Sequence, residues 1–129
     1  MYSFSVKSLN LLNNPKFSPT LRLLLMEAIK DSPIDFTIIE TVRTLEKQKE
    51  YYNKGTTKTL KSRHIPNVNK SGFAEAVDIS PYPINWADLS RFRKLSEHIL
   101  KKAEQLNIPI TWGGNWKSLV DMPHYELKR

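Results

Sequence analysis

The sequence predicts an α+β domain built on a small, mostly antiparallel sheet packed with helices. Three observations lead there. Strand-length runs rich in β-branched and apolar residues are mixed with helical stretches, no regular βαβ succession links them, and 129 residues suffice for one hydrophobic core. With 40% hydrophobic and 26% charged residues, a disordered or fibrous chain is excluded.

The elements follow in chain order. Residues 18–30 read as a helix: Ser18 is an N-cap, Pro19 takes the first helical position, and Leu21, Leu25 and Ile29 share a stripe. Ser32–Pro33 stops it. The run from Phe36 to Val42 is β-branched and reads as a strand. Thr44 caps a short polar helix ending near Lys54, with Gly55 as its left-handed stop. A basic, irregular stretch from Thr56 to Gly72 precedes the apolar run Phe73 to Ile79, a second strand ended by Pro81 and Pro83. Residues 86–106 form the longest helix, since Trp86, Leu89, Phe92, Ser96, Ile99, Ala103 and Leu106 recur at helical spacing. Asn107 and Pro109 close it. Ile108 to Trp112 reads as a strand, Gly113–Gly114 as a turn, and Pro123 to Leu127 as the last strand. No repeat or long linker interrupts this order, so residues 1–129 are expected to form one domain.

Composition removes several classes of chemistry. The absence of cysteine excludes disulfides, thiolate catalysis and iron–sulfur clusters, so any metal must be held by His, Asp or Glu. The longest apolar run, Leu23 to Met26, is far too short to span a bilayer. No cationic start leads into an apolar stretch, so the chain is expected in the cytoplasm of its producing cell. A net charge of +7 attracts polyanions, but the basic residues are scattered: Lys58, Lys61 and Arg63, then Arg91, Arg93 and Lys94, then Lys101–Lys102. No nucleic-acid recognition motif accompanies them, and no specific nucleic-acid partner is expected.

Three segments carry candidate chemistry. His64 sits in Lys61-Ser-Arg-His-Ile-Pro66, where Pro66 biases Ile65 to an extended conformation; if the extension reaches Ser62, Ser62 and His64 project to one side. Asp78 is a carboxylate inside an apolar strand. It is either buried and partnered from afar, since residues 71–90 hold no Lys or Arg, or exposed at the strand's end. In Asp121-Met-Pro-His-Tyr-Glu126, Pro123 delivers His124 into a strand whose one face it shares with Glu126. His98, inside the long helix, reads as a half-exposed helix residue. Catalytic zinc sites commonly use three N/O protein ligands and keep a fourth position for water. His64, Asp78 and His124 would supply that set, leaving Asp121 as an unligated carboxylate where a general base is required.

Ser62-Arg-His64, Ala76-Val-Asp78-Ile79, Trp112-Gly-Gly-Asn-Trp116 and Asp121-Met-Pro-His124-Tyr125 together resemble the zinc peptidases of the D-Ala-D-Ala carboxypeptidase/VanY-like superfamily. They are most similar to phage L-alanyl-D-glutamate endopeptidases, the small endolysins. The likeness includes Asp35 to Thr44 with Gln48 and Ile108 to Gly114, and spans residues 18–127 in the family's order. It implies a Hedgehog/D-Ala-D-Ala peptidase-like fold and one Zn2+ per chain. The implied ligands are His64, Asp78 and His124, with Asp121 as catalytic acid/base and Arg43 as the strand-end arginine that binds substrate and polarises the scissile carbonyl. Gln48, Ser62, Trp112 and Trp116 are expected as further substrate contacts, although Gln48 reads equally as a solvated polar side and a glycine turn flanked by core tryptophans is at least as good a reading of residues 112–116. One feature departs from the family: His64 and Asp78 lie fourteen positions apart, and the usual spacing is half as long. Glu75 is a rival ligand ranked below Asp78.

The implied activity is hydrolysis of an amide in the peptidoglycan stem peptide, at the L-alanyl-D-glutamate bond, by a monomer. Anionic cell-wall polymers would be its charge partners, reached after release from the producing cell. The alternatives are a D-Ala-D-Ala carboxypeptidase or dipeptidase using the same site, and a non-enzymatic basic module binding an envelope component or nucleic acid.

Overall fold

Among the described residues, four strands align antiparallel in the order β1-β2-β4-β3: β1 is Phe36–Glu40, β2 Ala76–Pro81, β3 Ile110–Trp112 and β4 His124–Leu127. This computed structural model describes residues 1–57 and 61–128; Lys58 of the basic stretch and Arg129 at the end of the expected domain lie outside the described residues. The α+β class with an antiparallel sheet is as expected from the sequence. Among the described residues, four α-helices accompany the sheet: α1 Val6–Leu12, α2 Pro19–Ala28, α3 Leu45–Asn53 and α4 Leu89–Gln105.

Alternation along the strands divides the sheet into two faces. Phe36 and Ile38, Val77 and Ile79, Tyr125, and Ile110 and Trp112 turn to the core. There they meet Leu21, Leu24, Leu25 and Ala28 of α2 and Leu95, Ile99 and Ala103 of α4. The opposite face carries Asp78, His124 and Glu126. Among the described residues, no helix is long and apolar enough to cross a membrane.

The caps act as the sequence predicts. The Ser18 side chain accepts from the Leu21 N–H at 3.2 Å and the Thr44 side chain from the Lys47 N–H at 3.1 Å, while Gly55 takes φ +75° after α3.

Several boundaries differ from expectation, each for a physical reason. The long helix starts at Leu89, not residue 86, because Asp88 caps it by accepting from the Arg91 N–H. Trp86 therefore precedes the helix, 54% exposed, and stacks on Phe92 with ring centroids 5.7 Å apart. The second strand runs from 76 to 81 rather than 73 to 79, since Ala74 spends its backbone groups on Lys16 and Ser18 instead. The first strand ends at Glu40 after a bulge between Ile38 and Glu40, and the third begins at Ile110. Residues 113–115 form a 3-10 turn. Helix α1 was not anticipated: Ser5 caps it, and Ser8 Oγ accepts from the Ile38 N–H at 3.1 Å on the outer edge of β1.

Candidate metal centre

The sheet register assembles the centre. Asp78 of β2 stands opposite His124 of β4, and the bulge in β1 brings Glu40 across from Asp78 on the other side. Without that extra residue Ile39 would occupy the place of Glu40. His64 arrives from a loop tied to the segment that follows β1, where the Arg43 N–H donates to the His64 carbonyl at 2.9 Å.

One ligand atom from each of His64, Asp78 and His124 lies within 4.8 Å of the others, so this trio could hold a metal ion. His64 Nε2 is 3.3 Å from Asp78 Oδ1, and His124 Nδ1 is 3.1 Å from the same oxygen. The imidazole rings meet edge to face, with centroids 5.2 Å apart. Asp78 is thus the partnered carboxylate of the two sequence readings, not an exposed one.

The orientation of His64 is set from behind. Its Nδ1 lies 2.8 Å from the Thr41 carbonyl oxygen, which can only accept, so Nδ1 carries the proton and Nε2 faces the centre. A ligating histidine held through its other nitrogen is the usual arrangement at metal sites. Ser62 and His64 do not extend together as expected: the chain turns at Arg63–His64, and Ser62 Oγ accepts from the His64 N–H at 3.2 Å.

Charge at the centre is strongly coupled. Burial alone would raise the Asp78 carboxyl, but hydrogen bonds from His124 and His64 outweigh it and hold the group far below the usual carboxylate range. Burial would likewise lower His124, yet its contacts with Asp78 and Glu126 push it up to about 9. Asp121 moves the other way: burial and the Asp78 charge raise it, against the opposing pull of His124, His64 and Arg43.

Asp121 is fixed by its backbone. Its N–H donates to the Gly113 carbonyl at 3.0 Å, and its own carbonyl accepts from the His124 N–H at 3.2 Å. Arg43 is clamped by Glu40, which its Nε reaches at 3.1 Å, and by Gln48, which accepts from Nη1 at 2.7 Å. Ser62 Oγ lies 3.5 Å from the same Nη1, and the guanidinium sits 4.9 Å from the Tyr51 ring centroid. Gln48 is fully buried, so it meets Arg43 rather than solvent.

The two tryptophans part ways. Trp112 belongs to the core, stacked near Tyr125, with its indole N–H donating to the Met122 carbonyl at 2.7 Å. Its expected place on a cleft wall is corrected by that burial. Trp116 is half-buried against His124, with ring centroids 5.2 Å apart. Glu75, the rival ligand, binds Arg63 instead, with Nη2 donating at 2.9 Å. His98 lies on α4, half-buried, with Nε2 2.8 Å from the Ala28 carbonyl.

Sequence reasoning missed three participants: the Thr41 carbonyl behind His64, Glu40 behind Arg43, and Glu126, whose carboxylate lies 2.7 Å from His124 Nε2. Only Glu126 left a signal, by sharing a strand face with His124.

Fold and donor set define a class: a small α+β domain with a candidate mononuclear metal centre on the sheet face opposite the core. All of residues 1–129 match the model of the phage L-alanyl-D-glutamate peptidase family, and the chain belongs to that family. It is 31% identical over 114 residues to the L-alanyl-D-glutamate peptidase of Escherichia phage T5, covering 86% of this chain and 80% of that protein. To the L-alanyl-D-glutamate peptidase of Listeria phage A118 it is 28% identical over 127 residues, 98% of this chain but 41% of that longer protein. Among solved structures, the Serratia marcescens L-Ala D-Glu endopeptidase ChiX superposes with a TM-score of 0.82 at 27% identity, covering 98% of this chain and 90% of that one.

Proposed function

We propose that this chain hydrolyses the L-alanyl-D-glutamate amide of the peptidoglycan stem peptide, using one zinc ion held by His64, Asp78 and His124. The observation that carries this is the convergence of those three donors within 4.8 Å on one sheet face, in a member of this peptidase family. Two nitrogen donors and one oxygen donor, without sulfur, suit zinc. Zinc bound there supplies a Lewis acid and lowers the pKa of water towards about 7.

The chain's own residues do the rest. Asp121 takes a proton from the water as its oxygen bonds to the carbonyl carbon, and returns it to the departing amine as the C–N bond breaks. Arg43, held in place by Glu40 and Gln48, offsets the negative charge that develops on the carbonyl oxygen. Trp116, packed beside His124, is placed to contact the stem peptide. The net charge of +7 concentrates the enzyme on anionic wall polymers once it is released from the producing cell.

Mass spectrometry of defined muropeptides, with and without a chelator, tests the reading. The expected product carries a new D-glutamate amine, disappears with chelator and returns with added Zn2+. Release of terminal D-alanine would assign the carboxypeptidase activity instead. Cleavage indifferent to chelator would end the zinc mechanism.

A further inference from the structure

Behind His124 runs a charged network that neither metal binding nor proton transfer employs. Arg63, the neighbour of the first ligand, is only 8% exposed. Its Nε donates to Asn69 Oδ1 at 2.6 Å, Nη2 to Glu75 at 2.9 Å, and Nη1 to Glu126 at 3.0 Å. The other carboxylate oxygen of Glu126 lies 2.7 Å from His124 Nε2. Asn69 belongs to the long loop between the first two donors. It ties that loop down by donating from Nδ2 to the carbonyls of Arg63 at 3.0 Å and Phe73 at 2.9 Å.

A buried guanidinium is costly unless its fork is matched, and here two carboxylates and an amide oxygen match it. Such a group fixes the carboxylates it binds. Glu126 therefore cannot swing freely, and a neutral His124 satisfies it only by carrying its proton on Nε2. That leaves the Nδ1 lone pair facing Asp78 and His64.

We propose that Glu126 is a positioning residue for His124, held by Arg63, and that the long loop sets Arg63 through Asn69. The inference rests on His124 being a zinc ligand. It gives the stretch between His64 and Asp78 a role: through Asn69 its loop locks the residue that orients the third ligand.

The test is the affinity of metal-free protein for Zn2+ alone, measured by competition with a chromophoric chelator at constant pH. Glu126→Leu is expected to weaken Zn2+ binding by roughly 10–100-fold, while Glu126→Gln, which still accepts from Nε2–H, recovers most of it. Glu75→Gln is the control, because Glu75 touches the same guanidinium but not His124. It should lower Tm while leaving Zn2+ affinity near the wild-type value. In 15N-labelled, Zn2+-loaded wild type, His124 should show a protonated, slowly exchanging Nε2 that Glu126→Leu loses. Should Glu126→Leu fail to fold with Arg63 unmatched, Arg63→Met/Glu126→Leu removes both charges and must show the same weakening. Wild-type affinity in a folded Glu126→Leu or double variant would overturn the proposal, as would equal losses in Glu126→Leu and Glu75→Gln. A wild-type protein that binds no Zn2+ would instead overturn the proposed function, and this inference with it.

Discussion

Asp78 and His124 face each other directly in the β2–β4 ladder, and Asp78 Oδ1 lies 3.1 Å from His124 Nδ1. Register thus does the work that short sequence spacing does in helical metal motifs. Two donors forty-six positions apart become neighbours because their strands pair, and a slip of one residue would turn one of them into the core. His64 completes the trio from a loop whose backbone is bonded to Arg43, just past β1.

His64→Ala is expected to lose both metal and activity. The ring is 1% exposed and supplies the Nε2 that faces Asp78. Its loss also leaves the Thr41 carbonyl without its 2.8 Å partner and opens a cavity, so Tm should fall as well. Metal content by mass spectrometry of untagged protein checks this; a variant retaining one zinc per chain would remove His64 from the ligand set.

Asp121→Ala separates catalysis from binding. Asp121 lies outside the trio that could hold the metal, so the variant should keep stoichiometric zinc. Turnover on muropeptides should fall by about 100-fold or more, the usual contribution of a general base. Wild-type turnover would show that another group moves the proton.

The pH dependence follows from opposite shifts. His124 is raised from 6.5 to about 9, so the stability its protonated form contributes is complete below about pH 6.5 and lost as pH rises through about 9. Asp78 is lowered, so its contribution is present above the ordinary carboxylate range and lost in acid. Both shifts describe one ion pair and count once. Asp121, raised, costs some stability as it ionises. Metal-free protein should therefore have its highest Tm between about pH 4 and 6.5 and a falling Tm towards pH 9. Zinc must displace the His124 proton, so the Tm gain on adding Zn2+ should grow over that interval. Calorimetry at fixed Zn2+ in stepped buffers reads both slopes; a metal-induced gain that shrinks with pH would contradict the assignment of His124 as a ligand.

How much of this was legible from residues alone depends on where the determining contact lies. His64, Asp78 and His124 could be singled out because a chain without cysteine and with three histidines offers few donors, and because Asp78 interrupts an apolar strand. The first strand followed from a β-branched run and the second from an apolar one. The bulge at Ile39 was hidden, since it arises from pairing with β2, and with it the placement of Glu40. Helix α1 is too short to be stable by its own propensity and depends on Ser8 reaching Thr37 and Ile38. The Arg63 network required the loop's actual path, which no periodicity encodes. Trp112 and Trp116 look alike in sequence, and only the direction of the 113–115 turn sends one to the core and the other to His124.

Gly113 gives a test of how tightly that turn couples to the site. A Cβ added there would land on the Asp121 carbonyl oxygen and lie 3.1 Å from Asp121 Cβ and 3.2 Å from His124 Cβ. The carbonyl is backbone, and it already accepts from the His124 N–H, so it cannot yield without moving the segment that carries both residues. Gly113→Ala should therefore cost about 1–3 kcal/mol of stability, as overpacking does, and lower kcat through displacement of Asp121. Gly55→Ala is the contrasting variant. Its Cβ would meet nothing within 4 Å, so only the left-handed φ of +75° is penalised, by about 1 kcal/mol, with kcat unchanged. Thermal melts and muropeptide kinetics of the two variants distinguish a local clash at the site from general backbone strain. Equal effects on kcat from both would mean that the 113–115 turn does not position Asp121.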